Sequence, residues 1–283
     1  MIKEKIAILT DSGTDVSSQI SEDLFVLPLL IQIDKKSYFD GVDINLEQVL
    51  ELVDKHKITT SLPSANAILK TLDEIKTQGY THVIVTTISS GLSGTYNFIR
   101  MLVEDYKGLK IALVDTKNIS KASGYTIHLA LDLIKKGKSF GEIVQSLNDS
   151  LANHKVFFTV GTVEYLRRGG RIGLVAGTVA NILSIKPIIT CNDAGVYYAV
   201  GKTRGYQKAI NKMIQLAIDF IGEHQAYDLT ILVAKVDEKT KENIAQIKDI
   251  FKKAVNFEIT SVSPTLAIHT GPQALGIAIR KRN

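Results

Sequence analysis

At 283 residues, with 45% hydrophobic and 22% charged residues and only 5 prolines, the chain has the composition of a folded globular protein, neither low-complexity nor fibrous, and long enough for one large domain or two fused ones. Its formal net charge of +5 is spread along the chain without the concentrated basic face and stacking aromatics of a nucleic-acid reader, so no nucleic-acid partner is expected. A lone cysteine, Cys191, excludes a disulfide framework within the chain; the first apolar run is too short for a signal peptide and none approaches the roughly 18 residues of a membrane span, so the expected compartment is the cytoplasm.

"KIAILT" predicts a first strand ending at Asp11, and the Ser- and Asp-rich "DSGTDVSSQISEDL" predicts a loop and a short helix. "FVLPLLIQI" predicts a second extended run, made irregular or an edge by Pro28. Asn45 and Ser64 are placed to cap the amphipathic helices "LEQVLELVDKH" and "ANAILKTLDEIKTQG", the second stopped by Gly79. Strand "HVIVTTI", helix "TYNFIRMLVEDY", strand "KIALVDT" and helices "GYTIHLALDLIKKG" and "FGEIVQSLNDSLANH" follow. That alternation implies right-handed crossovers and a mainly parallel sheet covered on both faces, a three-layer α/β/α domain over residues 1–154.

Beyond "KVFFTVG" the pattern changes. A Gly-rich basic turn, "RRGGR" at Arg167 to Arg171, leads to a short apolar helix "GLVAGTVANILS" and to "KPIITCNDAGVYYAVGK", where "NDAG" between two strand-like runs predicts a hairpin. Two amphipathic helices, "YQKAINKMIQLAIDFIGEH" and "EKTKENIAQIKDIFKKA", flank the strand "DLTILVAKV", and the end, "FEITSVSPTLAIHTGPQALGIAIRK", predicts two strands joined by a Gly-Pro turn. Residues 155–283 therefore read as a two-layer α/β domain on a mixed sheet.

In open parallel sheets, ligands bind beyond the carboxyl ends of the strands, where helix N-termini offer free N–H groups. Three loops in such positions are rich in small polar residues: Asp11 to Asp15, Ser89 to Thr95 and Asp115 to Gly124; "TTSLPS" at Thr59 to Ser64 enters a helix in the same style. Any one of them, taken singly, reads first as a set of helix caps. Together they suggest a grip on an anionic oxygen, with Gly94 between Ser93 and Thr95 letting backbone approach a ligand. The patterns G-x-S-x-G, G-x-x-x-x-G-K-[ST] and G-x-G-x-x-G after the first strand are all missing. The histidines, His56, His82, His128, His154, His224 and His269, show no metal-ligand spacing. His269 stands apart, in "IHTGPQALG", where the turn is expected to aim it into a cleft.

Together, "ILTDSGTDV", "TTSLPS", "SSGLSGTY", "EYLRRGGRI", "NILSIKPII", "GKTRGYQKA" and "IHTGPQALGI" resemble, in order and over essentially the whole chain, the DegV family of bacterial lipid-binding proteins, which includes the fatty-acid-binding subunits of fatty acid kinase. The resemblance implies two α/β domains with a long-chain fatty acid held between them and no catalytic machinery or cofactor. It implies that the carboxylate meets Thr60, or the adjoining Ser61, together with Ser93, the backbone of Gly94, and His269. It also implies a separate ATP-dependent fatty acid kinase as partner, for which Arg171, Lys202 and Arg204 are docking candidates; a transient contact with an anionic membrane surface is another use for them. Leu62 and Gln273 depart from the family's usual residues and bear on head-group geometry. Rival readings are an acyl ester hydrolase or transferase using Ser93 with His269, and a small phosphate or nucleotide binder at the same helix N-terminus.

Overall fold

The computed structural model describes residues 4–177, 185–223 and 226–282. Strand β1 (Ile6–Asp11) is buried along its whole length, as expected for a run with no polar face, and it pairs in parallel with β2 (Leu24–Leu27) on one side and β6 (His82–Thr87) on the other. The predicted short helix between β1 and β2 is instead two 3-10 turns, Ser12–Thr14 and Ser17-capped Ser18–Ile20. Asp11 accepts from the Gly13 N–H, and Asp15, in the left-handed region at φ 53°, ends the first turn before a helix can propagate.

Pro28 splits the second extended run, because it has no N–H for a ladder. Residues before it stay with β1, whereas β3 (Leu30–Ile33) leaves to form a separate antiparallel sheet with β4 (Lys36–Phe39) and β5 (Ile58–Ser61). Helix α1 (Leu46–Leu52) carries a full capping box between Asn45 and Gln48, and α2 (Ala65–Thr77) is capped by Ser64 and ended by Gly79 at φ 81°. Then come β6, α3 (Thr95–Val103), β7 (Lys110–Asp115), α4 (Ser120–Lys135) and α5 (Phe140–Ser150).

The parallel sheet, in the order β2-β1-β6-β7, has two apolar faces. Ile6, Ile8 and Ile84 pack under α4 and α5 through Ile127, Leu131, Ile143 and Leu147. Ala7, Leu9, Val83 and Val85 pack under α2 and α3 through Ile68, Leu72, Ile75 and Ile99. This alternation is the period-2 signature of a strand buried on both sides, and it makes the three layers.

A second sheet takes in β8 (His154–Thr159), β9 (Ile185–Cys191), β10 (Tyr197–Arg204), β11 (Tyr227–Val233), β12 (Asn256–Ser261) and β13 (Leu275–Lys281), in the order β10-β9-β8-β13-β11-β12. It is mixed: β11 and β12 run parallel and the other pairs antiparallel. The short α6 (Glu164–Arg168) follows β8; α7 (Tyr206–Ile221) and α8 (Glu238–Ile250) cover one face, meeting Phe157, Ile231 and Ile277. Val156, Phe158, Leu232 and Ala278 point the other way and pack against Ile88, Leu92, Ile119, Ala122 and Tyr125 of the first half. The two-layer half is thus completed by the three-layer one. The protein is a mixed α/β fold of these two architectures.

Two further expectations change here. "PTLAIHT" is a helix, α9 (Pro264–Thr270), between β12 and β13, and not the end of a strand. Pro at the first helical position after Ser263 supplies the start signal, and Gly271 at φ 77° supplies the stop. The predicted apolar helix "GLVAGTVANILS" begins as a 3-10 turn at Gly173–Val175, and its remainder from residue 178 lies outside the described residues, as does His224. Among the described residues no helix is long and apolar enough to cross a membrane, and no cluster of His, Cys, Asp and Glu is able to hold a metal ion.

Candidate functional site

The parallel sheet reverses its winding between β1 and β6: the chain adds β2 on one side of β1 and returns to add β6 on the other. Crevices form at the carboxyl ends of strands at such a switch point, and a cavity of about 190 Å³ lies there, roofed by α9. Thr60 and Ser61 at the end of β5, Ser93 from the loop after β6, Arg171 from the turn after α6, and Thr265 and His269 of α9 supply its polar lining; Leu29, Leu62, Ile88, Leu92, Ile119, Tyr197 and Leu266 supply the apolar part.

Each polar group is held by local structure. Thr60 pairs with Ile31 in the small sheet, and its Oγ1 lies 2.9 Å from His269 Nε2. Ser61, next along an alternating strand, lines the cavity but is exposed. Ser93 ends a tight turn in which the Leu92 and Ser93 amides both donate to the Ser89 carbonyl, and its Oγ is 2.9 Å from Thr95 Oγ1. The turn is clamped from the second half of the chain: Ser89 Oγ donates to the Gly195 carbonyl at 2.8 Å, so the "NDAG" hairpin between β9 and β10 seats on it. A Cβ at Gly91 would stand 2.8 Å from the Ala194 and Gly195 backbone, which is why that position has no side chain. Arg171 donates through Nε to the Leu92 carbonyl and through Nη1 to the Gly169 carbonyl, so its charge is fixed beside the same loop.

His269 is buried, and burial together with the Arg171 charge pushes its imidazole down to about 3, so the ring is neutral at physiological pH. The site therefore combines one fixed cation with neutral hydroxyl and imidazole groups, an arrangement that suits a compact anion. Behind it stand three carboxylates, two of which fasten the start of α9. Asp15 accepts from the Ser263 N–H and from Ser120 Oγ, and Asp40 accepts from the Thr265 N–H at 3.0 Å and Ser12 Oγ at 2.6 Å. Asp11 takes the Ile88 and Gly13 amides. Burial pushes Asp11 and Asp15 up to about 7 and raises Asp40 as well, the hydrogen bonds only partly offsetting it.

Next to the polar cavity is a second, almost wholly apolar one of about 30 Å³, walled by Val156, Phe158, Leu232 and Val262 among others. Ile119, Tyr197 and Leu266 line both.

A family profile described as uncharacterised protein, DegV family, matches residues 5–282. The chain belongs to the DegV family. Among its relatives, a DegV domain-containing protein of Clostridium acetobutylicum is 38% identical over 99% of this chain and 100% of its own length. A crystal structure described as a fatty acid binding DegV family protein from Streptococcus agalactiae matches at TM-score 0.90 and 28% identity, covering 99% of this chain and 100% of that one. A stearic acid-binding protein from Eubacterium ventriosum matches at TM-score 0.86 and 28% identity, covering 98% of each.

In this DegV chain the sequence-derived candidates divide. Thr60, Ser61, Ser93 and His269 come together, and Arg171, marked from the sequence only as a docking cation, joins them in the cavity wall. Gly94 is not among the lining residues; it starts α3 at φ −72°, and a Cβ there would be in ordinary contact with Leu62. Lys202 and Arg204 are exposed on β10, opposite Pro187 and Ile185. Sequence reasoning missed the fastening by Asp40. It follows β4 after an undistinguished exposed strand, and nothing in "SYFDGVD" marks a residue that reaches α9.

Proposed function

We propose that this protein is a carrier that holds a long-chain fatty acid with the carboxylate at Thr60, Ser93, Arg171 and His269 and presents it to a separate ATP-dependent kinase for acyl phosphate formation. The observation that carries the reading is the adjacency of the two cavities: a polar end with one fixed cation lies beside an apolar slot against the six-stranded sheet, with Ile119, Tyr197 and Leu266 as the wall between them. The relatives described as fatty acid binding and stearic acid-binding support it. Each buried methylene contributes about 0.8 kcal/mol, so a long acyl chain offers on the order of 10 kcal/mol before association costs. The carboxylate opposes entry unless its lost hydration is replaced by charge-assisted hydrogen bonds. At about 190 Å³ the polar cavity is smaller than the roughly 300 Å³ lower range for ligand sites, so entry of the tail requires the Ile119, Tyr197 and Leu266 side chains to part.

On this reading the fatty acid lies between the two halves, residues 1–154 and 155–283, and the protein itself has no catalytic step. A hydrolase or transferase would need Ser93 next to a base, whereas Ser93 Oγ is bonded to Thr95 and His269 Nε2 to Thr60. Mass spectrometry of the organic extract of freshly purified, denatured protein tests the reading. A near-stoichiometric fatty acid is expected, and an empty extract from protein that also takes up no added oleate would reject the carrier. Lys202 and Arg204 are the docking candidates for the kinase, with transient contact to an anionic membrane as a second use. Arg204→Ala is expected to lower acyl phosphate formation with the kinase while oleate binding stays at the wild-type level; undiminished formation would remove Arg204 from the docking surface.

A further inference from the structure

His269 presents two different nitrogens to two different surroundings. Nε2 lies 2.9 Å from Thr60 Oγ1, while Nδ1 is enclosed without a hydrogen-bond partner. On the Nδ1 side the ring meets Gly169, in the "RRGGR" turn: a Cβ built there would stand 1.9 Å from Nδ1 and 2.6 Å from Cε1. A glycine carries a hydrogen in that direction, so the Gly169 Cα–H points at Nδ1. A proton on Nδ1 would collide with that hydrogen and would also be a buried donor without an acceptor, the rarer and worse-tolerated kind of orphan. A lone pair on Nδ1 meets a weak C–H donor instead.

We infer that Gly169 fixes His269 as the Nε2–H tautomer and, through it, turns the Thr60 hydroxyl hydrogen into the cavity as a donor to the ligand. Gly169 is therefore a positioning residue. The polarity follows from the donor inventory: a neutral imidazole has one N–H, and when Nε2 carries it Thr60 Oγ1 is the acceptor, which leaves the single hydroxyl hydrogen free to point elsewhere. The imidazole is neutral because burial and Arg171 hold it low. The cavity then presents to the head group the Thr60 hydroxyl and the Arg171 cation as donors, and such a wall favours a carboxylate, which accepts from both and carries the charge that complements Arg171, over a neutral fatty alcohol.

The tautomer stands on geometry alone, whereas the choice of carboxylate rests on the fatty acid reading, and the experiment separates them. In full-length, lipid-stripped protein labelled with 15N-histidine, the long-range proton–nitrogen spectrum at neutral pH is expected to show His269 protonated at Nε2 and bare at Nδ1, with the signals assigned by their loss in His269→Gln. Protonation at Nδ1 would overturn the inference. Binding of oleate and of oleyl alcohol is then compared. Gly169→Ala is expected to cut the preference for oleate at least tenfold, Thr60→Val to cut it similarly, and Thr60→Ser to preserve it. An unchanged preference in Gly169→Ala, or a loss in Thr60→Ser equal to that in Thr60→Val, would overturn it as well. Wild-type protein that binds neither lipid would reject the carrier reading while the spectrum still decides the tautomer.

Discussion

His269→Ala is expected to weaken oleate binding about 10- to 150-fold while leaving the melting temperature nearly unchanged. The magnitude comes from the hydrogen bond of the Thr60 hydroxyl to the charged carboxylate, which the ring orients and which is worth about 1.5–3 kcal/mol, at roughly 1.4 kcal/mol per tenfold in affinity. His269 is one of the few buried polar groups here whose removal costs the free protein little: Nδ1 has no partner, and Nε2 holds only Thr60, whose hydroxyl is part-buried at the cavity wall and can turn to solvent. Ser93 is a less clean choice. Its hydroxyl serves the fully buried Thr95 hydroxyl, so Ser93→Ala disturbs the start of α3 together with the ligand contact. Calorimetry with oleate and with oleyl alcohol checks the prediction. A similar loss for both lipids would mean that the ring shapes the acyl path and does not serve the head group.

How much of this was legible in the sequence depends on how local the cause was. Asn45, Ser64 and Gly79 act within one turn of their own helices, and the structure finds them where the spacing placed them. Ser93 was legible because a parallel strand followed by a helix fixes where the intervening loop must open. The strands β3, β4 and β5 carry four residues each, too few for a period to show, and their pairing depends on contacts across the chain. "TLAIHTG" reads as a strand because it is short and apolar, and the signal that decides for a helix is the Ser263–Pro264 start. Arg171 and His269 are 98 positions apart in the chain (269 minus 171), and no spacing rule links a Gly-rich turn to the end of a later helix. Only folding puts the Gly169 Cα against the imidazole.

Buried Asp11, half-buried Asp15 and two buried histidines set an unusual balance in pH. Asp11 and Asp15, raised to about 7, keep protons that the unfolded chain gives up near pH 4. Their contribution to stability is fully present below about pH 4 and is lost as pH rises through about 7. His154 and His269, lowered to about 3 mainly by burial, do the opposite: their contribution is full above about pH 6.5 and is lost as pH falls toward 3. Between about pH 4 and 6.5 the folded chain holds two aspartate protons and the unfolded chain two histidine protons, so the slopes nearly cancel, with Asp40, raised by burial, and His128, lowered by burial, pulling in opposite directions.

Asp15→Asn should expose this balance. Asparagine tolerates the left-handed backbone at φ 53°, can accept from the Ser263 N–H and can donate to Ser120, so the fastening of α9 is kept while one titrating group is removed. Unfolding free energy of the lipid-free variant is expected to rise with pH more steeply than that of the wild type by about 1.4 kcal/mol per unit, or about 2.7 kcal/mol from about pH 4.5 to 6.5. Urea titrations at three pH values in that window measure it. Parallel curves for the two proteins would mean that Asp15 is ionised throughout, and that its hydrogen bonds to Ser263 and Ser120 outweigh its removal from water.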